Sequence, residues 1–109
     1  MLKLSSCDVL AMALEINPRC EVIPAAAWTP WYSLYGSKGG FESIDDCFGD
    51  LASHVHAVET GLSSDSSMNW RVPELDDRTL VSFSDAHSAP RMGRELTVFA
   101  GEPSYDAFL

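Results

Sequence analysis

The sequence predicts an α/β domain of three to four mostly parallel strands with covering helices. Two observations carry this expectation. Short β-branched runs alternate with Leu/Ala-rich or Ser/Asp-opened stretches, the pattern of βαβ units whose strands lie parallel. The residues best equipped for chemistry follow the runs read as strands, where parallel sheets and barrels gather functional groups. The 109 residues suit one domain over 1–109, and 46% hydrophobic with 10% aromatic residues are globular values. A chain of this size buries roughly two-thirds of the surface its unfolded form exposes.

Taken in order, Ser5-Ser6-Cys7-Asp8 opens the first helix, with Ser5 and Asp8 spaced as a capping box in which Asp replaces the usual Glu or Gln. The helix runs from about Cys7 to Ile16. It is apolar nearly all round, so cover on most sides is expected, and Asn17-Pro18 stops it. Glu21 to Ala25 reads as a short buried strand. From Trp28 to Phe41 there is no clear periodicity, yet fourteen residues hold two Trp, two Tyr and a Phe. Such a stretch is either a functional ordered loop after a strand or an aromatic lid over the core. Within it, Gly36-Ser37-Lys38-Gly39-Gly40 offers backbone N–H groups and an ammonium to a phosphate, without the full P-loop pattern.

Ser43-Ile44-Asp45-Asp46 caps a second helix to about Ser53, with acidic residues in its first turn. His54 to Glu59 reads as the second strand, and Gly61 to Ser67 as a polar loop. Met68 to Asp77 is a short helix interrupted by Pro73, and Thr79 to Ser84 is the third strand. A loop with Arg91 and Arg94 leads to a fourth strand at Leu96–Phe99, and Ser104 to Leu109 begins a last helix.

Charge and cysteine usage narrow the function. Sixteen acidic against seven basic residues give a formal net charge of −9, which leaves no electrostatic footprint for sequence-independent nucleic-acid binding. Contact with DNA would need positive charge from metal ions or from other polypeptide. Three cysteines without CxxC spacing predict reduced thiols in a cytoplasmic protein, not a disulfide framework or zinc ribbon. No apolar run approaches the roughly 18–20 residues of a membrane span, and Met1-Leu2-Lys3-Leu4 lacks a signal-peptide core.

The sharpest local pattern is Ser84-Asp85-Ala86-His87. Alternating side chains of an extended chain aim Asp85 and His87 at one point beyond the third strand. That suits a metal site or an acid–base pair; the plainer reading is a strand-end Asp capping a turn beside a surface His. His54 and His56 share a face opposite Glu59, so if Glu59 looks to a site the two histidines look away, towards the covering helices. The aromatic loop, Glu59 and the Asp85–His87 pair all fall at the carboxyl ends of the expected strands.

Trp28-Thr29-Pro30-Trp31-Tyr32-Ser33-Leu34-Tyr35-Gly36-Ser37-Lys38-Gly39-Gly40-Phe41 resembles the WTPWFSLFGSKSGF stretch of the endonuclease Q family. Glu59 to Asp65, Met68 to Arg71, Ser84 to Ser88 and Gly93 to Glu95 extend the resemblance over nearly the whole chain. That family is similar to the PHP phosphoesterases, whose distorted β/α barrel holds two or three metal ions, usually zinc or manganese. Its members nick DNA on the 5′ side of deaminated bases and at abasic sites. The resemblance implies that Asp85 and His87 match the closing DxH of the metal site, with Asp85 also catalytic and Glu59 a ligand or bridge. Carboxylates and imidazole suit Zn²⁺ or Mn²⁺, which would activate a water and neutralise the scissile phosphate. Trp28, Trp31 and Tyr35 become stacking surfaces for an unpaired base, with Lys38 and Arg71 as further substrate contacts.

This chain departs from the family pattern at two positions. Pro24-Ala25-Ala26-Ala27 stands where the family reads PAH, so Ala26 replaces a ligand imidazole, and Phe83 replaces a usual Asn. The amino-terminal HxH motif and earlier strands are also outside this sequence, which corresponds to the last third to half of a barrel. The expectation is therefore a partial PHP-type barrel from a DNA repair nuclease, with little activity as an isolated chain. A non-catalytic DNA-binding module is the alternative. Damaged DNA is the expected partner if the barrel is completed, and open sheet edges would invite a companion chain or self-association.

Overall fold

Ser5 starts the first helix as its spacing requires. In the computed structural model, which describes residues 3–109, helix α1 spans Ser6–Ile16. Of the amino-terminal run read for a leader, Met1 and Leu2 lie outside the described residues. The Ser5 Oγ accepts the Asp8 N–H at 3.0 Å, and Asp8 Oδ2 accepts the Ser5 N–H at 3.2 Å, completing the capping box. At the other end the Asn17 N–H donates to Ala13 O at 3.0 Å before Pro18 diverts the chain. The helix buries Leu10 and leaves Val9, Met12 and Ile16 exposed. This corrects the expectation of cover on most sides: α1 packs through one face against the second helix and the turn that follows it.

Helix α2 (Ile44–Phe48) is capped by Ser43, whose Oγ accepts the Asp46 N–H at 3.1 Å. It stops short of the expected Ser53, because Gly49 takes up φ 56°, and the chain continues as a 3₁₀ helix over Gly49–His54. Strand β1 (Ala57–Glu59) pairs in parallel with β2 (Thr79–Val81), in the register Ala57 to Thr79 and Glu59 to Val81. The crossover between them runs through α3 (Ser66–Asn69), capped by Asp65, and a 3₁₀ turn at Pro73–Leu75. Helix α4 (Tyr105–Phe108) begins behind Ser104, as expected from the sequence.

The described residues thus form a two-stranded parallel sheet, where three to four strands were expected. The missing two have identifiable causes. Residues 21–25 do run beside β1, with the Glu59 N–H on Pro24 O at 3.0 Å and the Ala27 N–H on Glu59 O at 3.0 Å. Regular pairing fails because Pro24 has no N–H and Ala26 turns into the left-handed region at φ 48°. Residues 96–99 are held to the chain after β2 by side chains. The Thr97 Oγ1 accepts the Ser82 N–H at 2.7 Å and donates to Ser82 O at 2.9 Å, taking both backbone groups a ladder would use.

The core lies between the sheet and the helical layer. Leu10, Leu34, Ile44, Phe48, Val55, Val58 and Leu75 are buried together, with Ala27 and Ala52 filling the close approaches. On the carboxyl-terminal side Phe108 stacks on Phe99 with centroids 4.9 Å apart, and Arg19 pairs with Asp106 and lies over the Tyr105 ring. No helix among the described residues is long and apolar enough to cross a membrane.

Candidate functional site

Three extended segments end on one rim, and each ends in a left-handed residue: Ala26 at φ 48°, Gly61 at 69° and Asp85 at 48°. All three line a cleft of about 340 Å³, together with Ala25, Thr29, Glu59, Leu62, Ser63 and Phe83. Left-handed backbone is costly for residues with a Cβ and gathers where surrounding contacts over-determine it. Gly61 is glycine for a second reason, since a Cβ there would stand 2.8 Å from Ala26 Cα.

Glu59 holds the rim together. It is only 8% exposed, and its carboxylate accepts the N–H groups of Ala26 at 2.5 Å, Gly61 at 2.9 Å and Phe83 at 3.3 Å. One donor comes from each segment. From the outer side, Arg94 donates from Nη2 and Nε to Ser84 O at 2.8 and 3.2 Å, bracing the turn that carries Asp85.

The structure brings Glu59, Asp85, Ala26 and Phe83 into one cleft, but places His87 outside its lining. The alternation that would aim Asp85 and His87 together is broken by the left-handed Asp85. Their side chains are 76% and 85% exposed, and His87 Nδ1 lies 2.8 Å from Asp85's own carbonyl oxygen, 3.9 Å from its carboxylate. His54 and His56 are exposed, with His56 Nδ1 3.0 Å from the Glu21 carboxylate, so His56 faces a hydrogen-bond partner and solvent rather than covering helices.

This donor set does not fit a divalent ion. The Glu59 oxygens are engaged by three backbone N–H groups, Ala26 contributes a methyl and Phe83 a ring. No group of three or more His, Cys, Asp or Glu among the described residues is placed to share an ion.

The aromatic loop divides into two parts. Trp28 and Tyr35 are half-buried against each other, ring centroids 4.8 Å apart. The Trp28 Nε1–H donates to Asn69 Oδ1 at 2.8 Å, and the Tyr35 hydroxyl donates to Glu74 at 2.5 Å. Burial, reinforced by the hydrogen bond to Glu74, pushes the Tyr35 phenol far above its ordinary value. These two rings act as the lid over the core. Trp31 and Tyr32, 60% and 84% exposed, stay in solvent.

Two amides of the glycine run are turned inward. The Lys38 N–H donates to Pro30 O at 2.9 Å and the Gly40 N–H to Gly36 O at 2.8 Å, so both close the loop on itself. Lys38 and Arg71 are exposed and lie outside the cleft lining.

Sequence reasoning gave no role to Asn69 or Glu74. Asn69 is fully buried and donates from Nδ2 to Ser64 Oγ at 3.0 Å and Asp65 O at 2.7 Å while holding Trp28. The signal for it was the need of a buried Trp for an acceptor. Glu74 also accepts the Ile44 N–H at 3.1 Å, joining the Tyr35 hydroxyl to the start of α2; no sequence spacing announces that contact.

The molecule is therefore a small α/β domain with parallel strands and a partly apolar cleft beyond their carboxyl ends. Its likenesses sharpen that class. A crystal structure of endonuclease Q, in complex with a 27-mer duplex substrate carrying an abasic lesion at the active site, matches with a TM-score of 0.69 and 33% identity, over 87% of this chain and 22% of that one. The chain is 47% identical over 70 residues to the uncharacterized protein MJ0043 of Methanocaldococcus jannaschii, covering 62% of this chain and 8% of that protein. It is 44% identical over 73 residues to the uncharacterized protein YqxK of Bacillus subtilis, covering 67% and 18%. No family model matches. The chain thus spans between 8% and 22% of these relatives' lengths, and its similarity to endonuclease Q holds in both sequence and structure.

Proposed function

We propose that this chain is the carboxyl-terminal barrel segment of an endonuclease Q-like nuclease acting on damaged DNA, and that alone it contacts DNA without cutting it. The observation that carries this reading is the likeness to endonuclease Q in complex with an abasic-site duplex, at 33% identity over 87% of this chain. Completed by further PHP-type barrel strands, such a nuclease would nick 5′ to deaminated bases or abasic sites, with any Zn²⁺ or Mn²⁺ held by residues of the completing strands rather than by the Asp85–His87 pair of this chain. Further polypeptide, from a companion chain or a second copy, would pair with the open edges at residues 21–25 and 96–99. A cytoplasmic location goes with this reading, resting on the odd, unspaced cysteine set.

Exposed Trp31 and Tyr32 favour the non-catalytic arm for the isolated chain. Base–aromatic stacking contributes about 1–3 kcal/mol per base, and on a chain of net charge −9 it must outweigh phosphate repulsion, so the isolated chain is expected to bind only weakly. The purified chain, mixed with single-stranded and abasic-site duplex DNA in EDTA at a salt concentration that screens phosphate repulsion, is expected to shift the DNA weakly. Trp31→Ala should weaken that binding about 5- to 100-fold. Robust nicking on addition of Mn²⁺ or Zn²⁺ would overturn the claim of inactivity. Absence of any binding would remove the DNA-contact reading.

A further inference from the structure

We propose that Glu59 is a backbone tie rather than a metal ligand, so that this chain's cleft keeps its shape without a divalent ion. A carboxylate offers about four lone-pair directions, and Glu59 has given three of them to the N–H groups of Ala26, Gly61 and Phe83. The donors belong to the run before the aromatic loop, the loop after β1 and the chain after β2. A single buried side chain thereby pins three segment ends to one point, which is the mechanical service a bound ion performs in a metalloprotein.

Charge runs against an ion here too. Three N–H dipoles present their positive ends to the carboxylate, so a cation would meet them and have to displace at least one donor. The displaced amide would then be buried without a partner. Ala25, Ala26, Leu62 and Phe83 supply carbon to the lining, and Thr29 and Ser63 add only neutral hydroxyls, which are weak ligands for Zn²⁺ or Mn²⁺. Asp85 is the second carboxylate of the cleft, and a lone exposed carboxylate holds Zn²⁺ or Mn²⁺ weakly. The left-handed conformations of Ala26 and Gly61 follow from the same tie, because they bring their N–H groups onto Glu59.

The proposal stands apart from the reading of DNA contact and is tested separately. The purified chain is stripped with EDTA, then titrated with Zn²⁺ and with Mn²⁺ by calorimetry, alongside Asp85→Asn and Glu59→Gln. No saturable site of Kd below about 10 μM is expected. The melting temperature should be the same in EDTA and in either ion, whereas a filled micromolar site would raise it by several degrees. Glu59→Gln sets an amide N–H against a backbone N–H and should lower the melting temperature by about 10 °C, with or without ion. Saturable binding that Asp85→Asn or Glu59→Gln abolishes overturns the proposal, as does a Glu59→Gln chain as stable as its parent. Should Glu59→Gln fail to fold, which the tie allows, binding by the parent chain and its loss in Asp85→Asn decide the question.

Discussion

Replacing Gly61 by Ala adds a methyl group where the rim has no room for it. Gly61 sits at φ 69°, and the new Cβ would lie 2.8 Å from Ala26 Cα and 3.3 Å from Ala26 Cβ. Left-handed backbone costs alanine about 1 kcal/mol. The contact adds about 1–3 kcal/mol, because it meets main chain rather than a side chain free to swing aside. The stiffer unfolded chain offsets about 0.5 kcal/mol, leaving a net loss of about 1.5–3.5 kcal/mol. Urea unfolding followed by Trp fluorescence should show this as a lower midpoint at constant slope, and heating as a melting point about 10–15 °C lower. Ala26→Gly removes one contacting Cβ and relieves the left-handed residue opposite. In that background Gly61→Ala should cost about 1 kcal/mol less. A loss below about 0.5 kcal/mol, or strict additivity of the two changes, would refute the close approach of these two turns.

Two further outcomes follow from the lid. Asn69→Ala strips three hydrogen bonds from a fully buried side chain and strands the Trp28 indole N–H, so unfolding should become about 3 kcal/mol easier, with a loss of near-UV Trp signal. An unchanged near-UV spectrum would contradict the assigned lock. Tyr35 tests the pH axis. Its folded-state pKa is raised by burial and by Glu74, so its contribution is fully present below the unfolded phenol value of about 10 and is lost as pH rises beyond it. Stability measured from pH 8 to 11 should fall across that window, and Tyr35→Phe should flatten the fall; equal slopes for the two proteins would count against it.

The local elements were legible in the sequence because their causes are local. Ser5 with Asp8, Ser43 and Ser104 each start a helix through a side chain and an amide three residues apart, whereas Asp65 caps α3 within the expected polar loop, with the helix expected only from Met68. Asn17-Pro18 ends α1 through restricted torsions, while Pro73 opens a 3₁₀ turn instead of interrupting a helix from Met68 to Asp77, because α3 has already ended at Asn69. The parallel pairing of β1 with β2 was also legible, since an intervening helical stretch returns the chain in the same direction. Two strands were over-read, because a β-branched run does not reveal that Pro24 and Ala26 spoil one ladder or that a single threonine side chain supplants the other.

Glu59, Asp85 and His87 were marked for the rim from the strand pattern, and Ala26 and Phe83 through the family resemblance; strand ends in a parallel sheet gather there whatever their chemistry, yet His87 falls outside the cleft lining. What each does there depends on atoms distant in the chain. Residue spacing places Glu59 at a strand end, but only the folded chain brings the amides of residues 26, 61 and 83 to its carboxylate. Alternation aims Asp85 and His87 together only while the backbone stays extended, and one left-handed residue cancels it. Composition shows an aromatic loop, and only packing separates Trp28 and Tyr35, held by Asn69 and Glu74, from Trp31 and Tyr32, left to solvent. Local spacing and composition were enough for the starts of α1, α2 and α4, the α/β class and the likeness to endonuclease Q. The tertiary structure alone decided which groups on that rim are already satisfied, because hydrogen-bond partners far apart in sequence are set by how the chain packs.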